Sequence, residues 1–208
     1  MIFHSVPKAV QVLFPNRKWS GDPSGNKVYL TFDDGPVPGV TTYVLEQLKI
    51  RNQKATFFMV GDNVRKHPEL ARAVLADGHL IGNHTYHHLK GFKTSKEEYY
   101  RDFQKSEDIF REVLGIESRL FRPPYGSLTM AQSSPIRRSH QIIMWDVLSG
   151  DYHPKADPEK ILFETKKRTK AGSIIVFHDQ QKTADMLPKI LPQFLDFLLE
   201  KEFKTSLL

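Results

Sequence analysis

From residue 27 onward, short runs rich in β-branched and aromatic residues alternate with longer stretches of helical periodicity. Runs at 27–32 (KVYLTF), 54–60 (KATFFMV), 79–82, 119–121, 141–145, 173–177 and 203–207 read as seven strands. Apolar residues at helical spacing fill 41–51, 63–76, 95–114, 129–139, 158–170 and 184–200, with Pro188 and Pro192 expected to distort the last. Strands separated by helices join as parallel crossovers rather than hairpins. Runs such as ATFFMV and SIIVF are apolar on both faces, as a helix-covered sheet requires. The expectation is a single α/β domain, a distorted (β/α)7 barrel over 27–208, with 1–26 packed on it as an N-terminal extension. An open doubly wound sheet is the rival.

Composition narrows the chemistry. The 208 residues include no cysteine, so disulfides and thiolate chemistry are excluded and a transition metal would need His, Asp or Glu ligands. A formal charge of +6 would suit an anionic partner, but the basic residues are scattered, and clusters such as RKH and KKR are short. A solvated surface explains them, and no nucleic-acid-binding motif is present. No apolar run approaches the length of a membrane span. The N-terminus lacks a charged start followed by a long apolar stretch, which leads to an expectation of cytoplasmic residence, with the cell envelope as the alternative for a trimmed chain. The sequence leaves the oligomeric state open.

Polar clusters follow the C-terminal ends of the expected strands. Asp33-Asp34 follows the first, 83–88 (NHTYHH) the third and Arg122-Pro-Pro-Tyr125 the fourth. Asp146 through Asp151 follow the fifth and His178-Asp179 the sixth. In a barrel of parallel strands that rim carries the active site, because its loops converge on one mouth. Each cluster alone has an ordinary explanation. Asp-Asp-Gly is often a turn, Arg-Pro-Pro a loop with a surface ion pair, Asp151 a cap and His178 a satisfied buried residue. His84 and His88, four apart, can turn both imidazoles toward one ion, as in His-Glu-x-x-His proteases. Two imidazoles with a carboxylate leave a position open for water, the usual catalytic zinc set. His87 between them reads as a surface or substrate-edge residue, and His4, His67, His79, His140 and His153 as structural. Five clusters on one rim outweigh the separate explanations.

Together the clusters resemble the polysaccharide deacetylase family, the group with the NodB homology domain (carbohydrate esterase family 4). Its motifs stand here, in order, as TFDDGP at 31–36, HTYHH at 84–88, RPPYG at 122–126, Asp151-Tyr152 and VFHD at 176–179. The fourth departs from the family, which usually has Trp where this chain has Tyr152. The resemblance implies one divalent ion, zinc foremost, with cobalt, manganese or nickel as alternatives, held by Asp34, His84 and His88. It implies Asp33 as general base and His178 as general acid, tuned by Arg122 and Asp151 respectively. The backbone N–H of Tyr125 would stabilise the oxyanion, and Trp145, Tyr152 and Phe177 are candidates for lining the pocket.

The activity implied is hydrolysis of the N-acetyl amide of an N-acetylated carbohydrate such as peptidoglycan or chitin-like oligomers. A sugar-lipid deformylase or small cyclic amide hydrolase would use the same machinery. An inactive glycan-binding module would keep the barrel alone, and the full residue set counts against it. No Gly-x-Ser-x-Gly nucleophile elbow is present.

Overall fold

Strands and helices alternate along the chain in the computed structural model, which describes residues 4–153 and 155–208. Helix α1 (Lys8–Leu13) precedes β1 (Lys27–Asp33), α2 (Val40–Ile50), β2 (Thr56–Met59), α3 (Gly61–Lys66), α4 (Pro68–Ala76) and β3 (Leu80–Asn83). There follow α5 (Lys96–Leu114), β4 (Leu120–Phe121), α6 (Met130–Ile136), β5 (Gln141–Ile142) and β6 (Val147–Leu148). The chain then runs through α7 (Pro158–Arg168), β7 (Ile174–His178), α8 (Leu187–Glu200) and β8 (Lys204–Thr205). Every strand pairing is parallel, in the order β5-β4-β3-β2-β1-β7-β6, with β8 against the start of β1. The sheet curls into a half-barrel with helices outside, the distorted (β/α)7 barrel read from the alternation, in one domain. Among the described residues no helix is long and apolar enough to cross a membrane.

Period-two alternation sorts the side chains of each strand. On β1, Leu30 and Phe32 point outward, where they join Phe57, Phe177, Val44, Leu48, Leu191 and Phe194 in the core under α2 and α8. Ring centroids lie 5.1 Å apart for Phe32–Phe57 and 5.2 Å apart for Phe177–Phe194. Each such side chain taken from water stabilises the fold by about 1.5–3 kcal/mol. Inside the curl, Tyr29, Phe58, Leu120, Ile143 and Ile174 form a smaller apolar plug. The inward series of β1 ends on Thr31 and Asp33, so the same alternation that buries Phe32 aims Asp33 into the mouth.

Three elements differ from the sequence expectation. The run 63–76 is two helices, because His67 (φ −130°, ψ 58°) precedes Pro68, whose ring disfavours a helical residue before it. The run 141–145 is a strand only through Ile142. Beyond it Lys18 bridges Ile143, accepting from Met144 N–H while donating to Ile142, and the chain pairs again as β6 beside β7. Helix α8 continues through Pro192, with Pro188 in its first turn, where the missing N–H costs nothing.

Candidate active site

Strand register brings the chemistry together. Asp33, at the end of β1, is the cross-strand partner of His178, at the end of β7, and neighbouring strands lie about 4.7–4.9 Å apart. One residue further, Asp34 turns into the left-handed region at φ 82°. Its Oδ1 lies 3.3 Å from His84 Nε2 and 3.0 Å from His88 Nε2. His84 follows β3, while Thr85 and His88 also have positive φ, so a tight irregular loop presents both rings.

These three residues suit a cation. His84 Nδ1 lies 2.7 Å from the Arg122 carbonyl oxygen, an acceptor, so Nδ1 carries the proton and a neutral ring leaves Nε2 bare. That bare nitrogen faces Asp34 Oδ1, itself buried and without a hydrogen-bond donor. Two acceptors this close repel unless a cation lies between them. The donor atoms all fall within 4.8 Å of one another, the span a single ion can bridge. Two imidazole nitrogens and a carboxylate oxygen are the donor types of a three-ligand zinc site.

On one side of this cluster, Arg122 is fully buried and donates from Nη1 to Asp33 Oδ1 at 2.6 Å and to Thr31 Oγ1 at 2.7 Å. Its Nη2 donates to the Met144 carbonyl at 3.1 Å, and its guanidinium lies 4.1 Å from the Phe58 ring centroid. Burial pushes the Arg122 pKa down and Asp33 pulls it back up. On the other side, His178 donates from Nδ1 to Asp151 Oδ1 at 2.7 Å and from its backbone N–H to Asp151 Oδ2 at 2.8 Å. Ser149 donates to the same carboxylate at 2.9 Å. Burial would lower the His178 pKa, but Asp151, with Asp34 and Asp33 beyond it, raises it to about 9. The Asp151 carboxylate thus favours the protonated imidazole.

Between the two pairs lies a cleft of about 560 Å³, a size suited to a small ligand. Tyr125, Trp145 and Tyr152 line it along with Leu148, Val176 and Lys182. Tyr125 (φ 58°) precedes Gly126 (φ 64°), where a Cβ would meet the Trp145 ring at 2.9 Å. In this turn Gly126 and Ser127 donate to Pro123 and Pro124, while Tyr125 N–H has no acceptor among the described residues. Tyr152 stands edge-on to the His178 ring, centroids 5.1 Å apart.

Phe177 does not line the cleft, which corrects the sequence expectation. On β7 the period of two sends Val176 and His178 inward and Phe177 outward, into the core against Phe194. His87 is half exposed and pairs with Asp102 rather than the cluster. Sequence reasoning missed Asp102 of α5, whose Oδ2 accepts the Tyr86 and His87 N–H groups at 2.8 and 3.0 Å and so braces the histidine loop. It also missed Asn63, whose side chain donates to the Asp34 carbonyl at 2.8 Å. Asn63 lies inside α3 and Asp102 inside α5, and neither belongs to a polar cluster at a strand end or to a family motif.

Comparison with known proteins agrees with this geometry. Residues 20–140 match the family model of polysaccharide deacetylase. The chain is 34% identical over 181 residues to a peptidoglycan-N-acetylglucosamine deacetylase of Bacillus cereus, covering 84% of this chain and 66% of that protein. It is 30% identical over 191 residues to the peptidoglycan-N-acetylmuramic acid deacetylase PdaC of Bacillus subtilis, covering 91% of this chain but 40% of that one. The crystal structure of the Bc1960 peptidoglycan N-acetylglucosamine deacetylase superposes with a TM-score of 0.83 at 31% identity, over 98% of this chain and 95% of that chain. The Bacillus anthracis BA3943 structure, described as a family 4 pseudoenzyme, superposes at 0.79 with 25% identity, over 90% of this chain and 65% of that one. The chain belongs to the polysaccharide deacetylase family.

Proposed function

We propose that this chain is a metal-dependent hydrolase that removes the acetyl group from N-acetylated amino sugars in a glycan, peptidoglycan foremost. The observation that carries the reading is the order across one cleft: a carboxylate paired with a buried guanidinium, a cluster of metal-type donors, and an imidazole backed by a carboxylate. The relatives act on peptidoglycan by name, and the cleft suits a sugar with its acetyl group. Because a pseudoenzyme shares the fold, these residues rather than the superposition support activity.

A divalent ion held by Asp34, His84 and His88, zinc foremost, would supply Lewis acidity, polarising the acetyl carbonyl and making water more acidic. Asp33, oriented by Arg122, takes a proton from the attacking water as its oxygen bonds to the carbonyl carbon. Tyr125 N–H donates to the oxygen on which negative charge develops, a contribution of about 10²–10³ in rate for one such donor. His178 gives its proton to the sugar nitrogen as the C–N bond breaks, leaving acetate and a free amine. Trp145, Leu148, Tyr152 and Val176 wall the site and limit water around the acetyl group. Tyr152 in the usual Trp position keeps an aromatic wall with a smaller ring and a hydroxyl.

The test is acetate release by zinc-loaded and chelator-treated protein from peptidoglycan fragments and chitin oligomers, with formylated sugars and cyclic amides alongside. Acetate released only by the loaded protein is the expected result. Turnover of formylated or cyclic amides alone would move the chain to those reactions, and a folded, zinc-loaded sample inert on every substrate would reduce it to a binding module.

A further inference from the structure

Asp179 is a fully buried acid that the reaction does not use. Its carboxyl faces a backbone N–H and a hydroxyl rather than a cation. Oδ1 accepts from Gly35 N–H at 3.1 Å, and Oδ2 accepts from Thr41 Oγ1 at 2.6 Å. The Thr41 hydroxyl in turn accepts from Val37 N–H at 2.7 Å, tying the whole turn after β1 to the first turn of α2. The Asp179 backbone N–H donates to the Asp33 carbonyl at 3.0 Å. Asp34 is therefore bracketed, with the residue before it and the residue after it both held by Asp179.

The bracket is close. A Cβ at position 35 would fall 2.0 Å from Asp179 Oδ2, so only glycine admits the carboxyl there. Asp34 itself has φ 82°, a conformation that a residue with a side chain keeps only where its surroundings enforce it. On the strand side the Asp34 N–H donates to the Phe58 carbonyl, while Asn63 donates to the Asp34 carbonyl and Val60 N–H donates to the Gly35 carbonyl at 3.0 Å. The Gly35 N–H, the remaining polar group of the turn, is held by the Asp179 carboxyl.

We propose that Asp179 is a positioning residue for the metal site, holding Asp34 in the left-handed turn that points Oδ1 at His84 and His88. This rests on Asp34 being a metal ligand. Groups that hold a ligand in place commonly change metal affinity by about 10–100-fold when removed.

The experiment is substrate-free: zinc affinity of the full chain by competition with a chromophoric chelator, with circular dichroism to follow folding. Asp179→Ala is expected to fold and to bind zinc about 10–100-fold more weakly. Asp179→Asn, whose amide oxygen still accepts the Gly35 N–H, is expected to recover most of that loss. Alanine-variant affinity within about threefold of wild type, or asparagine and alanine variants equally weak, overturns the proposal. Should the alanine variant fail to fold, Thr41→Val removes one anchor of the carboxyl. Weakening by about fivefold is then expected, and unchanged affinity overturns the idea. Wild type that bound no zinc would instead sink the metal reading itself, so the two failures are distinguishable.

Discussion

The two flanks of the cleft are each built on a carboxylate facing a cation, but the cations differ in kind. Arg122 is fully buried, hydrogen-bonded to Asp33, Thr31 and Met144, and stacked on Phe58. A guanidinium cannot shed its proton in a protein, so the base side carries a permanent charge pair. His178 keeps 14% of its side chain exposed and holds its proton because Asp151 sits beneath it. Its charge is conditional. The division suits the roles proposed for Asp33 and His178, since a base needs a fixed orientation and an acid must be able to lose what it carries. A charge that can be neutralised should also let the His178 side tolerate loss of its partner better than the Arg122 side.

The largest expected effect comes from breaking the base. Asp33→Asn should lower acetate release by about 10²–10⁴-fold, the scale of a lost general base, with zinc content by elemental analysis unchanged. Loss of zinc in that variant would move Asp33 into the ligand set and erase the asymmetry. Next, removing one member of each pair tests whether permanence matters. Asp33→Ala leaves a buried guanidinium unpaired and should destabilise by about 3–5 kcal/mol. Asp151→Ala leaves an imidazole that can discharge, and should cost less, about 1–3 kcal/mol. Chemical denaturation of both variants reads the difference, and equal losses would remove the distinction drawn between the flanks.

The smallest effect sharpens the comparison through pH. In metal-free protein the His178 ring should titrate near pH 9 by NMR, and Asp151→Asn should bring it down, because the strongest opposing carboxylate is then neutral while burial still lowers the value. Since the folded value lies above the ordinary 6.5, the pair stabilises fully below pH 6.5, and that contribution fades as pH rises through 9. Wild-type stability that did not decline across this window would show that Asp151 holds the ring by shape rather than by charge.

Much of this was legible in residues alone. KVYLTF and SIIVF read as strands of a helix-covered sheet, which puts the acids and histidines just past them on its carboxyl rim, where the structure has them. Asp33, Asp34, His84, His88, Arg122, Asp151 and His178 were named from that position and from the family motifs, and the fold gathers them around one cleft. Phe177 was misplaced because motif membership carries no facing, whereas strand alternation does. The split at His67 was written in Pro68.

What the chain specified by itself was local: hydrophobic period, turn chemistry, and which donor atoms arrive at strand ends. Tertiary structure decided which of those ends meet. Cross-strand register set Asp33 beside His178, Lys18 of the N-terminal segment paired along the free edge of 142–144, and Asp102 of α5 and Asp179 after β7 accept backbone N–H groups from the loops that carry His84, His88 and Asp34. A buried carboxyl such as Asp102, which lies mid-helix and outside every motif, has no signature of its own, because the backbone N–H groups it accepts are the same in every residue type.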